Sequence, residues 1–173
     1  MRLRIGLGFD SHRFDPDRAC VLGGVRIPDT PGLSGFSDGD ALAHAVTDAI
    51  LGAAGLGDIG THFPPGDERW RGADSMNLLR AAVEMARDAG YGVGNVDVAV
   101  VCERPRIAPV ADSIRDSLAR ALDVVPGSVS VKGKTNEGMG WIGAGEGLAV
   151  QAVALVDMMR EPSDHSHWSG WAL

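Results

Sequence analysis

Between Ser37 and Gly57 the apolar residues Ala41, Leu42, Ala45, Val46, Ala49, Ile50 and Ala53 recur at helical spacing. The runs on either side do not. Residues 2–9 (RLRIGLGF) alternate as a strand does and lead into a polar turn rich in Asp and Arg. Residues 20–28 (CVLGGVRIP) form a second strand or hairpin arm, closed by Pro28 and Pro31. A chain that passes from strand to helix and back must cover a sheet with helices, so this change of period is the main constraint on the fold.

The same grammar continues to residue 159. Ser37 is placed to cap the first helix, with Asp40 three residues later completing a capping box, and Gly55 and Gly57 end it. Residues 58–73 (DIGTHFPPGDERWRGA) read as a surface loop, long enough to serve a function. A second helix is expected over 74–89, a β-prone run over 94–105 ended by Pro105, and a third helix over 108–122. A strand (SVSVKGK) and a glycine-rich loop (TNEGMGWIGAGEG) follow, and residues 148–159 fit strand or helix equally. The expected class is an α/β or α+β sandwich with helices covering one face of the sheet.

The 173 residues suit one domain, 1–159, followed by a polar tail, 160–173. That tail holds two of the four tryptophans, and its Asp164, His165 and His167 superficially resemble metal ligands; it reads as a terminal segment, loose or packed on the domain. A net charge of −7 argues against a nucleic-acid partner, which needs clustered Lys and Arg. No apolar run spans a bilayer and no signal peptide fits, so no membrane partner is expected. Cys20 and Cys102 lie far apart in apolar surroundings and read as buried free thiols, which suits a reducing cytoplasm.

Asp10 and His12, two residues apart, share one face if the strand continues through them. A carboxylate and an imidazole suit a borderline ion such as Zn²⁺, and His44, on a helix face with Asp40 and Asp48, is the best third donor. The plainer alternatives remain: Asp10 as a turn residue, Asp38 or Asp40 as helix-end acids, and His44 as a helix histidine with its hydrogen bonds met. Asp58 follows a helix end among glycines, where it could meet a ligand hydroxyl. Thr135 and Glu137 sit on the glycine-rich loop, where backbone amides can cradle phosphate. The sequence has no Walker A, GxSxG or HExxH pattern.

The runs SDGDALAHAVTDAILGAAGLGDIGTHFP, GFDSHRF, GNVDV and KTNEGMGWIGAGEG together resemble the 2-C-methyl-D-erythritol 2,4-cyclodiphosphate synthases of the non-mevalonate isoprenoid pathway, in order across residues 3–157. The resemblance implies an α+β two-layer sandwich with a mixed sheet, the sheets facing the axis of a homotrimer and active sites between subunits. The implied substrate is 4-diphosphocytidyl-2-C-methyl-D-erythritol 2-phosphate, whose 2-phosphate attacks the β-phosphorus, releases CMP and closes a cyclic diphosphate. Asp10, His12 and His44 are the implied Zn²⁺ ligands, and Glu137 holds a second ion, Mg²⁺ or Mn²⁺. Asp58 would bind methylerythritol hydroxyls, with Gly60 beside it, and Thr135 would orient the β-phosphate. Residues 101–108, including Pro105 and Arg106, with Gly133 and Lys134, would line the neighbouring subunit's cytidine pocket. The amides of Phe36 and Ser37 would hold the attacking phosphate. Such chemistry needs no dedicated general base, because the nucleophile is already ionised.

Three positions depart from the family pattern. Phe36 stands where relatives commonly carry His, and Lys134 replaces a threonine beside Thr135. Ala144 replaces an Arg that in relatives binds a diphosphate in the central cavity, which leaves open whether this chain binds an isoprenoid diphosphate there. The competing readings are a zinc phosphoesterase and a non-catalytic trimer that binds nucleotide or isoprenoid.

Overall fold

The computed structural model describes residues 3–159; the tail with Asp164, His165 and His167 lies outside the described residues. Five strands, β1 (Leu3–Leu22), β2 (Val25–Leu33), β3 (Tyr91–Val101), β4 (Val129–Lys134) and β5 (Gly147–Met158), form one sheet in the order β2-β1-β5-β3-β4. Pairing is antiparallel except between β3 and β4, so the sheet is mixed. The long helices are α1 (Ala41–Ala54), α3 (Ser75–Asp88) and α4 (Ala111–Leu122); α2 (Ile59–His62) and α5 (Gly140–Gly143) are single turns.

The polar turn expected after Phe9 does not form. β1 continues to Leu22, pairing with β5 through Arg13 and with β2 from Phe14 onward. Ladder hydrogen bonds from two successive neighbours override a composition that by itself favours a turn. The hairpin arm expected at 20–28 is present, with Gly23 and Gly24 at positive φ between β1 and β2. Residues 148–159, ambiguous in sequence, become strand because β5 is the centre of the sheet. The loop at 58–73 contains α2 and a 3₁₀ turn at Glu68–Trp70.

Asp40, not Ser37, caps α1, and the Ser37–Asp40 capping box does not exist. The Asp40 carboxylate is fully buried and accepts from the N–H groups of Leu42 and Ala43, and from Gly23 and Gly24 in the β1–β2 turn. One side chain thus ties the helix start to the hairpin. Burial pushes this carboxyl up, to about 6, against the pull of the Ala43, Gly24 and Gly23 donors. Asp40 consequently turns away from the face that carries His44.

Packing of α1 on β1 depends on two glycines. A Cβ at Gly6 would stand 1.9 Å from the Ala49 carbonyl oxygen, and one at Gly8 would stand 1.8 Å from that of Ala45. Only hydrogen fits, so the helix lies directly on the strand backbone. Val96, Val98, Val100, Leu148, Val150, Ala152 and Ala154 complete the buried face beneath α1, α3 and α4. The opposite face is open: Ile5 is 71% exposed, Leu7 70% and Phe9 54%. None of the described helices is long and apolar enough to cross a membrane.

Candidate active site

Strand alternation that buries Gly6 and Gly8 also points Asp10 and His12 toward the helices. Beyond the glycines there is room for side chains, and these meet His44 at the end of the first turn of α1. Asp10 Oδ2 lies 2.8 Å from His12 Nε2 and 3.0 Å from His44 Nδ1. One ligand atom from each of the three residues falls within 4.8 Å of the others. Asp40 and Asp48 are not part of this group; Asp48 instead accepts from Ile59 N–H at 2.8 Å and anchors α2 to α1.

The donor set fits a metal. His12 Nε2 is buried and, despite its short distance to Asp10, makes no hydrogen bond of acceptable angle. A cation among the three atoms would satisfy that orphaned nitrogen, and two imidazoles with one carboxylate are a Zn²⁺ set that leaves a fourth position open. Burial pushes Asp10 up, but the two imidazoles against its Oδ2 hold it well below the usual carboxylate range. Burial likewise pulls His12 down, and the adjacent Asp10 carboxylate more than offsets this, leaving it above 6.5.

These shifts set a pH dependence. Asp10's gain from pairing is present above its ordinary 3.8 and lost on acidification; that of His12 is present below 6.5 and lost as pH rises through the raised value. The metal-free chain therefore gains most from the pair between about pH 4 and 6.5. Zinc must displace the His12 proton in that same window. Apparent zinc affinity is expected to fall about tenfold per unit as pH drops below the raised His12 value, measured by chelator competition. A flat profile from pH 5 to 8 would contradict this ligand set.

The three donors open into a cavity of about 240 Å³, also lined by Phe36, Ser37, Ile59, Gly60, Phe63, Pro65, Trp70 and Leu78. Its character is metal-binding at one end and apolar elsewhere. Arg71 stacks 4.6 Å over the Phe36 ring. Among the described residues, neither the Phe36 nor the Ser37 N–H donates to a protein group. Asp58 caps α2, accepting from the Thr61 N–H and hydroxyl, which hold its carboxyl below the usual range.

Pro105, Arg106, Gly133, Lys134 and Thr135 line a separate cavity of about 220 Å³ with Cys102, Glu103, Ile107 and Ala108. Gly133 must lack a side chain, since a Cβ there would meet Ile107 at 2.7 Å. Glu137 belongs to this second region, not to the Asp10 cluster: its Oε1 accepts from Thr135 Oγ1 at 2.6 Å. Glu137 is held at φ +51°. Glu103 Oε1 accepts from the Asn136 and Gly138 N–H groups on either side of it.

Sequence reasoning missed Ser75 and Trp70, and held Glu103 only as an unnamed member of the 101–108 segment. The indole Nε1 of Trp70 is buried without a partner beside the first cavity. Only Trp70 carried a signal, as an aromatic in a long polar loop; the other two are recognisable solely by what they touch.

The YgbB family profile matches residues 3–157. The chain belongs to the YgbB family. Among its relatives, the 2-C-methyl-D-erythritol 2,4-cyclodiphosphate synthase of Xylella fastidiosa is 51% identical over 156 residues, covering 90% of this chain and 89% of the relative. That of Symbiobacterium thermophilum is 53% identical over 152 residues, covering 88% and 97%. The solved YgbB-type fold from Plasmodium falciparum, a CDP complex, aligns with TM-score 0.79 at 34% identity over 91% of this chain and 97% of that one. A bifunctional IspDF enzyme from Campylobacter jejuni aligns with TM-score 0.88 at 40% identity, over 91% of this chain and 43% of that longer chain.

Proposed function

We propose that the chain converts 4-diphosphocytidyl-2-C-methyl-D-erythritol 2-phosphate to 2-C-methyl-D-erythritol 2,4-cyclodiphosphate and CMP. The observation that carries this reading is the convergence of Asp10, His12 and His44, with its orphaned nitrogen, at the end of a half-apolar cavity in a YgbB chain.

An oxygen of the 2-phosphate forms a bond to the β-phosphorus, and the β-phosphorus–oxygen bond to the α-phosphate breaks, so CMP leaves with that bridging oxygen. Free N–H groups at Phe36 and Ser37 bind the attacking phosphate. Asp58 and the backbone at Gly60 orient the methylerythritol hydroxyls, while Phe63, Trp70 and Leu78 exclude water from its carbon skeleton. Zn²⁺ on Asp10, His12 and His44, with Mg²⁺ or Mn²⁺ at Glu137, would neutralise the charge of the diphosphate. Thr135 orients the β-phosphate, and Pro105, Arg106, Gly133 and Lys134 form the cytidine pocket.

This reading builds the site from two copies; the zinc-ligand cavity and the second cavity share no lining residue within one chain, which supports it. The uncovered apolar strand residues supply the contact, with Leu7 paired beside Val153 on the open face. We assign a homotrimer closed through this face. Leu7→Glu is expected to yield monomers in sedimentation and to lower turnover at least tenfold; an intact trimer would refute the assignment.

Residues 1–159 form the catalytic domain in this reading and 160–173 a tail. Buried free Cys20 and Cys102 support a reducing, cytoplasmic setting. The deciding assay follows ³¹P resonances of the cytidine substrate with Zn²⁺ and Mg²⁺. A cyclic diphosphate with CMP supports the proposal, a linear phosphate assigns a zinc phosphoesterase, and no turnover rejects both.

A further inference from the structure

Behind His44, on the side away from Asp10, side chains from three segments line up. Asp38 lies in the loop before α1, Ser75 is the first residue of α3, and His44 belongs to α1. Ser75 is fully buried, and its Oγ lies 2.8 Å from His44 Nε2. That hydroxyl also hydrogen-bonds to Asp38 Oδ1. Asp38 accepts from Ser75 N–H on Oδ2 at 3.0 Å and from Asp40 N–H on Oδ1 at 3.1 Å.

The direction of each bond follows from hydrogen counting. Both Asp38 oxygens already accept backbone N–H groups, the pattern of a carboxylate, which has no hydrogen to give. Ser75 must therefore donate its single hydroxyl hydrogen to Asp38. Its Oγ then offers His44 only lone pairs, so His44 Nε2 must carry a hydrogen. Ser37 Oγ, 3.1 Å from the same nitrogen, is a second acceptor for it. On the other side Asp10 Oδ2, 3.0 Å from Nδ1, accepts too, so without metal Nδ1 shares its hydrogen with Asp10; a cation at the cluster takes that hydrogen's place, and because Nε2 keeps its own, Nδ1 is then the lone pair that faces the cation. His12, in contrast, presents Nε2 to the cluster.

We propose that Asp38 and Ser75 are positioning residues that lock His44 in the tautomer whose Nδ1 faces a divalent cation. The inference rests on the metal reading of Asp10, His12 and His44, and extends it to residues that touch neither metal nor substrate. A buried carboxylate acting through a hydroxyl both aims the ring and strengthens its donor nitrogen. Because Ser75 opens α3, the line also fixes the spacing of α3 and α1 at the cavity.

Two measurements test this. In the zinc-loaded wild-type chain, ¹⁵N shifts of His44 are expected to show hydrogen on Nε2 and none on Nδ1. Hydrogen on Nδ1, or an even mixture, overturns the proposal without any variant. Zinc affinity by chelator competition is expected to fall about 10–100-fold in Ser75→Ala. Asp38→Asn, nearly identical in shape, is expected to fall in the same range, because its amide must set a donor against the Asp40 or the Ser75 N–H. The visible spectrum of the Co²⁺-loaded variants should lose tetrahedral intensity in parallel. If wild-type protein binds zinc and Ser75→Ala binds it equally well, the positioning role alone fails. If wild-type protein binds no zinc, the metal reading fails and takes this inference with it.

Discussion

Asp40→Ala is expected to destabilise the folded chain by about 3–4 kcal/mol, from loss of a helix cap, of the buried Gly23 N–H partner and of the Gly24 N–H partner at the surface. The carboxylate has no exposed surface, and the four N–H groups it serves come from the β1–β2 turn and the start of α1. Truncation leaves Gly23, Leu42 and Ala43 without acceptors in a buried region, while Gly24, which is exposed, turns to solvent. Asp40→Asn keeps the oxygen that serves Gly23, Leu42 and Ala43 but sets an amide N–H₂ against Gly24 N–H, so about 1–2 kcal/mol is expected. Urea unfolding at fixed protein concentration reads both values as midpoint shifts at unchanged slope. A shift under 1 kcal/mol for the alanine variant would show that the hairpin and helix hold without this tie.

His44→Ala is expected to abolish stoichiometric zinc and lower turnover by about 10³ or more, with the fold intact. His44 is partly exposed at the cavity, and its removal leaves the Asp40 cap and the Gly6 and Gly8 contacts untouched. Metal analysis separates the two losses. Zinc content near that of wild type with turnover gone would move the ligand role elsewhere. Mixing this variant with Glu137→Ala sharpens the assignment, because His44 lines one cavity and Glu137 accepts from Thr135, which lines the other. If sites form between subunits, mixed trimers pair an intact zinc cluster with an intact Glu137, and part of the turnover returns. Absence of any recovery after subunit exchange would place both residues in one subunit's site.

Much of this site was legible before folding was considered. Period-two alternation puts Asp10 and His12 on one face whatever the sheet around them, and the apolar repeat of α1 places His44 on a helix. The glycine-rich loop announced Thr135 and Glu137. Other features were misread because the deciding forces are not local. The polar run after Phe9 looks like a turn until β2 and β5 supply ladder partners along its length. Ser37 looks like a helix cap until Asp40, reaching the hairpin as well, satisfies more donors from the same segment.

The sequence alone determined which side chains share a strand face or a helix face, because those periodicities belong to the backbone of each element. It also determined where the backbones can touch, since Gly6 and Gly8 are the positions that admit a helix at contact distance. Only the tertiary structure decided that the helix at that contact is α1, in a register that brings His44 Nδ1 to Asp10. It alone set Ser75 and Asp38 behind the ring and separated Glu137 from the cluster. Those outcomes join residues 30 or more apart in the chain, as His44 and Ser75 are by 31 and Asp38 and Ser75 by 37. Contacts of that kind are chosen by how whole faces pack and which buried polar groups can be satisfied together, and no short stretch of sequence carries that information.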